Sequence, residues 1–103
     1  MSDLPGEADT GDRVPGGQAL VACRAAIERI DGELIALLAK RVEQSREIGR
    51  LKRSAGLPTL DPKREAEVIR RAGTVARGLG LDEEPVRDIF WHVIALSRSA
   101  QLE

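Results

Sequence analysis

The sequence predicts an all-α chain of three helices, long, short and medium in that order, that associates as a helical homodimer. Three observations carry this prediction. Aromatic residues make up only 2% of the 103, with one Phe, one Trp and no Tyr, and a chain dominated by Ala, Leu, Ile, Glu and Arg suits helices better than sheets. Apolar residues recur in steps of three and four through the first half of the chain, which is the period of one helix face. Two breaker segments, Ala55-Gly56-Leu57-Pro58 and Gly78-Leu79-Gly80, then divide the second half.

Each element has its own signal. Residues 1–17 combine Pro and Gly with Asp3, Glu7, Asp9 and Asp12 and hold little apolar content, so they read as a disordered tail and leave 18–103 as the helical domain. From Gln18 to about Ser54 there is no Pro, and Leu20, Cys23, Ile27, Ile30, Leu34, Leu37, Leu38, Ile48 and Leu51 trace an apolar stripe. Asp61-Pro62 then supplies a capping acid and a Pro at the first helical position, starting a short helix that ends near Arg77. Acids in Asp82-Glu83-Glu84-Pro85 favour a helix N-terminus, and the third helix runs to about Gln101. A first helix of about 37 residues is roughly 55 Å long, more than a compact chain of this size can cover. The uncovered stripe therefore predicts a twofold dimer.

Composition removes several function classes. No apolar run reaches the roughly 18 residues of a membrane span, and no signal sequence opens the chain, so the expected location is the cytoplasm. One Cys and one His leave no usual zinc site and no internal disulfide. The net charge is −1, but the first 17 residues are acidic and the body is mildly basic. Glu and Arg are interleaved and stacking aromatics are scarce, which argues against nucleic acid as a partner.

The apolar stripe of the long helix is interrupted by cations. Arg41 and Lys52 are eleven residues apart, almost three whole turns, which puts them within about 20° of each other on one face and about 16 Å apart along the axis. Two long side chains there suit a small anion, although snorkelling or pairing with Glu43, Glu47 or Glu65 is an equally ordinary fate. Arg24 lies about 25 Å before Arg41 and is rotated by about 100°. It does not reach the same pocket from the same helix, but in an antiparallel dimer it reaches the partner's. Asp61, Arg64 and Glu65 gather at a helix N-terminus, where backbone N–H groups also favour anions, although plain capping explains them as well. Ser97 and Gln101, four residues apart, share a face of the third helix, with Ile89, Val93 and Ile94 expected on its buried side.

Taken together these residues resemble a known family. Arg24-Ala25-Ala26-Ile27-Glu28-Arg29-Ile30-Asp31, Leu34-Ile35-Ala36-Leu37-Leu38-Ala39-Lys40-Arg41, Ile48-Gly49-Arg50-Leu51-Lys52, Asp61-Pro62-Lys63-Arg64-Glu65, and Ser97 with Gln101 are similar to the all-helical chorismate mutases, the AroQ class or type II. The match covers about residues 20 to 102 without a gap. It implies an intertwined three-helix dimer with two equivalent sites, each lined by both chains. Carried over by position, Arg24 from the partner chain binds one substrate carboxylate and Arg41 the other. Lys52 bridges a carboxylate and the ether oxygen, Arg64 adds to the cationic wall, and Glu65 with the Asp61 backbone holds the C4 substituent. Ser97 contacts a carboxylate, and Gln101 donates to the ether oxygen. The implied reaction, chorismate to prephenate in Phe and Tyr biosynthesis, needs no cofactor, acid, base or nucleophile. His92, Trp91 and Cys23 are expected to be packing or surface residues.

Three other readings share the fold. A mutase for 4-amino-4-deoxychorismate, feeding a p-aminophenylalanine route, would present an amino group that Glu65 accepts at least as readily as a hydroxyl. An isochorismate pyruvate-lyase would not call for Glu65 at the C4 position. A non-catalytic helical dimer would not require Arg24, Arg41, Lys52, Arg64, Glu65 and Gln101 together.

Overall fold

The computed structural model describes residues 15–103, and the expected tail over 1–17 lies, up to residue 14, outside the described residues. Helix α1 spans Gly17–Ala55, α2 spans Pro62–Gly78 and α3 spans Glu83–Gln101, with no strand among the described residues. The expected order and type of element are borne out, with boundaries moved by a residue or two. Among the described residues no helix is long and apolar enough to cross a membrane.

Local chemistry accounts for the boundaries. Helix α1 ends where Gly56 adopts φ +69, a left-handed conformation that costs a residue without Cβ little. The Leu57 N–H donates to the Lys52 carbonyl at 2.8 Å and the Gly56 N–H to the Arg53 carbonyl at 3.2 Å, which is the Schellman pattern. The same pattern closes α2: Gly80 has φ +79, and the Leu81 N–H reaches the Ala76 carbonyl at 2.8 Å. Helix α2 opens as expected, with Pro62 in its first turn and the Asp61 carboxylate accepting from the Arg64 N–H at 3.2 Å. Helix α3 has Glu83 and Glu84 in its first turn, and Glu83 also accepts from Arg77 at 2.6 Å and Arg87 at 3.0 Å. That carboxylate ties the turn between α2 and α3.

The described residues divide into two compact units, one ending at Leu37 and the other running from Leu38 to Glu103. The first is helical from Gly17 and leaves its large apolar residues in water: Ile27, Ile30, Leu34, Ile35 and Leu37 are all at least half exposed. The second holds the core, built from Ile69, Ala72 and Ala76 of α2 and Val93, Ile94 and Ala100 of α3. Alanines at these positions let the two helices approach closely, at the cost of little apolar area per residue. Ile89, expected on the buried side of α3, is instead 58% exposed. It shares a helix face with Val93 one turn on, but cover over that face among the described residues reaches Val93 and not Ile89.

The end of α3 docks on α1 within this second unit. Gly49 is buried, and a Cβ built on it falls 2.8 Å from the Gln101 Cα and closer still to the Gln101 carbonyl oxygen. That carbonyl accepts from Arg53 Nη1 at 2.8 Å, and Arg46 Nε donates to Glu103 Oε1 at 2.5 Å. Backbone against backbone at Gly49, with an arginine on either side, sets where Gln101 sits.

Candidate active site

A cavity of about 510 Å³ opens in the second unit, lined from all three of its helical segments. Helix α1 contributes Arg41, Gln44, Ser45, Ile48 and Lys52. The α2 start contributes Asp61, Arg64, Glu65 and Val68, and α3 contributes Ile94, Ser97 and Gln101. Seven of the eight residues expected from the sequence thus line one cavity. The eighth, Arg24, belongs to the other unit, is exposed, and is not among these lining residues.

Arg41 and Lys52 are both half-buried, and neither has a carboxylate partner among the described residues. Arg41 Nη1 donates to Ser97 Oγ, and Ser45 Oγ donates to the same oxygen at 3.0 Å. Ser45 is 4% exposed and Ser97 is 7% exposed, so this pair of hydroxyls is fixed in the cavity wall and aims the guanidinium. Burial, and secondly the like charge of Arg64, lower the Arg41 pKa. Both effects disfavour the cation, and an anion in the cavity would reverse the second.

Lys52 Nζ donates to the Thr59 carbonyl at 2.8 Å and to Gln101 Oε1 at 2.9 Å. An ammonium has three donors, and the third has no protein acceptor among the described residues. Because Lys52 only donates, it must face the amide oxygen of Gln101, which leaves the amide NH₂ as a donor beside it. The cavity therefore carries two adjacent outward donors, one cationic and one neutral.

The acidic side is arranged differently. The Asp61 carboxylate serves the α2 cap, and its carbonyl accepts from the Glu65 N–H at 3.0 Å. Arg64 lies 3.5 Å from Glu67 with both side chains exposed, a weak pairing that leaves the guanidinium adjustable. Glu65, 15% exposed, accepts from Arg98 through both oxygens, at 2.9 and 2.6 Å. Those hydrogen bonds lower the Glu65 pKa against the opposing effect of its burial, helped by the charges of Arg98 and Lys52. Glu65 is an ionised acceptor.

Sequence reasoning missed Ser45, Gly49 and Arg98. Ser45 carried a usable signal, a small polar residue one turn after Arg41 on the same face. Gly49, two turns after Arg41, carried a related one, a residue without a side chain on that same face. Arg98 had none, since its partner is 33 residues away on another helix. His92, Trp91 and Cys23 are exposed and stand outside the cavity lining, as expected of packing or surface residues.

The arrangement can hold a small compound with two negative charges, orient it, and donate hydrogen bonds to an oxygen that gains charge. Residues 23–102 match the family described as chorismate mutase type II. The chain is 42% identical over 88 residues to a 3-dehydroquinate dehydratase of Pyrobaculum aerophilum, covering 85% of this chain and 26% of that one. It is 26% identical over 84 residues to a chorismate mutase of Methanocaldococcus jannaschii, covering 82% and 85%. A solved structure of a conserved hypothetical protein from Pyrococcus furiosus superposes with a TM-score of 0.67 at 37% identity, covering 81% of this chain and 95% of that one. The chain spans about a quarter of the length of the first curated relatives it matches.

Proposed function

Because this chain belongs to the chorismate mutase type II family, a family of isomerases, we propose that it rearranges chorismate to prephenate in Phe and Tyr biosynthesis in the cytoplasm. The observation that carries this reading is the pair of half-buried cations, Arg41 and Lys52, that face one cavity with only neutral protein partners. A partly desolvated cation whose hydrogen-bond partners are all neutral is incompletely compensated, and a dianionic substrate supplies two counter-charges.

The reaction is intramolecular. The C–O bond of the enolpyruvyl ether breaks as a C–C bond forms, no atom enters or leaves, and the ether oxygen becomes a ketone oxygen. Arg41 with Ser97 grips one carboxylate, and Arg24 of the partner chain grips the other, holding the compact reactive conformer. Lys52 and Gln101 donate to the ether oxygen as negative charge develops on it. Arg64 adds to the positive wall, and Glu65 with the Asp61 backbone receives the C4 substituent. The partner chain enters because Ile27, Ile30, Leu34 and Leu37 present apolar surface that a second copy covers. The site then needs no metal or organic cofactor.

A direct assay decides the substrate. Purified protein is offered chorismate and 4-amino-4-deoxychorismate separately, and the disappearance of each is followed. Turnover of chorismate with the higher kcat/KM is the expected result. Preference for the amino compound would replace the proposed substrate, and turnover of neither would overturn the reading.

A further inference from the structure

The bidentate contact between Arg98 and Glu65 is unlike the other ion pairs among the described residues. Like Arg77–Glu83 it joins α2 to α3, but among these pairs it is the one that ends on a carboxylate lining the cavity. Arg98 itself is 48% exposed and does not line the cavity. It acts on the pocket from behind Glu65.

We propose that Arg98 is a specificity-determining residue which, acting through Glu65, selects an uncharged hydroxyl over an ammonium at the substrate position that Glu65 contacts. The proposal rests on the chorismate mutase reading of this cavity. Nε and Nη2 of Arg98 take one lone pair on each Glu65 oxygen, and each oxygen keeps a second lone pair. A hydroxyl needs only that acceptor. An amine, protonated at neutral pH, would gain much more from a lone carboxylate than from one already matched by a guanidinium. Arg41 and Lys52 in the same cavity add to the cost of a further positive charge. The contact also holds Glu65 ionised, so it accepts and does not donate.

A purely mechanical role is the competing account, since the same contact braces α2 against α3. A brace lowers activity on both substrates alike, whereas a selector changes their ratio. The test compares kcat/KM for chorismate and for 4-amino-4-deoxychorismate in the wild type, Arg98→Met and Arg98→Lys, with thermal melting of each. Arg98→Met keeps the apolar stem and removes the charge, and it should move the ratio about tenfold toward the amine, equivalent to about 1.4 kcal/mol. Arg98→Lys keeps a charge without the fork and should give an intermediate ratio, which also serves if the Met variant does not fold. In a Glu65→Gln background the Arg98→Met change should leave the ratio where it was. An unchanged ratio in an active wild type and variants, with both activities falling together, overturns the role of Arg98 alone. A wild type inactive on both compounds overturns the proposal together with the reading beneath it.

Discussion

One continuous helix behaves in opposite ways along its length. Between Gly17 and Leu37, residues Ile27, Ile30, Leu34 and Leu37 follow each other at helical spacing and are 50 to 60% exposed. Between Leu38 and Ala55, Arg41 and Lys52 are half-buried and Ser45 is 4% exposed. Ordinary burial would place the apolar residues inside and the cations outside. Exposed apolar surface forgoes about 25 cal/mol per Å², and a half-buried cation with only neutral partners loses hydration without a full return. Each half is thus poorly matched by the chain alone. The first half asks for an apolar surface and the second for an anion, the two parties that the proposed function supplies.

The strongest way to break this comparison is to show that the two halves do not serve one site. Arg24→Ala and Arg41→Ala should each lower kcat/KM by about a thousandfold, because each removes a carboxylate clamp. Mixed and re-equilibrated, the two inactive chains should recover about a quarter of wild-type activity, since half of the dimers are mixed and each mixed dimer keeps one intact site. Mixed dimers that are demonstrably formed yet inactive would refute shared sites.

A second substitution sharpens the account of the polar half. Gln101→Glu puts an acceptor-only carboxylate where an amide donated, and it should lower kcat/KM about a hundredfold at neutral pH. Lys52 Nζ, 2.9 Å from the present side chain, favours the ionised form of the new carboxyl, while burial and the bound dianion oppose it. Only the protonated acid donates, so activity should rise as pH falls. The wild-type amide does not titrate and should give a flat profile. A flat profile for the variant would remove Gln101 from the reacting oxygen.

The smallest effect is expected at Gly49. A methyl group there meets the Gln101 backbone, and relieving the overlap moves the end of α3 at a cost of about 1–3 kcal/mol. Gly49→Ala should lower kcat about tenfold with KM nearly unchanged, and should add little in a Gln101→Ala background. Equal further loss in both backgrounds would assign Gly49 to stability alone.

The cluster at 61–65 shows how far sequence reading extends. Asp61 and Pro62 announced the helix start because a cap is made within three residues, and Asp61 indeed spends its carboxylate there. The same local view left Glu65 free. In the structure both of its oxygens are taken by Arg98, a contact that depends on how α3 is rotated against α2. Arg98 follows Ser97 directly, but consecutive positions on a helix point about 100° apart, so one faces the cavity and the other its rim.

The sequence by itself determined the elements and their ends. Helical period, a capping acid before Pro, and Gly at left-handed positions all act within a few residues, and local sterics and backbone hydrogen bonding suffice to specify them. It also placed Arg41 and Lys52 on one face. Only the tertiary structure decided that these cations meet neutral protein partners in one cavity, that Lys52 meets Gln101, and that Arg98 holds Glu65. Those outcomes depend on the depth and rotation at which helices pack, which close contacts such as Gly49 against Gln101 set and which no periodicity encodes.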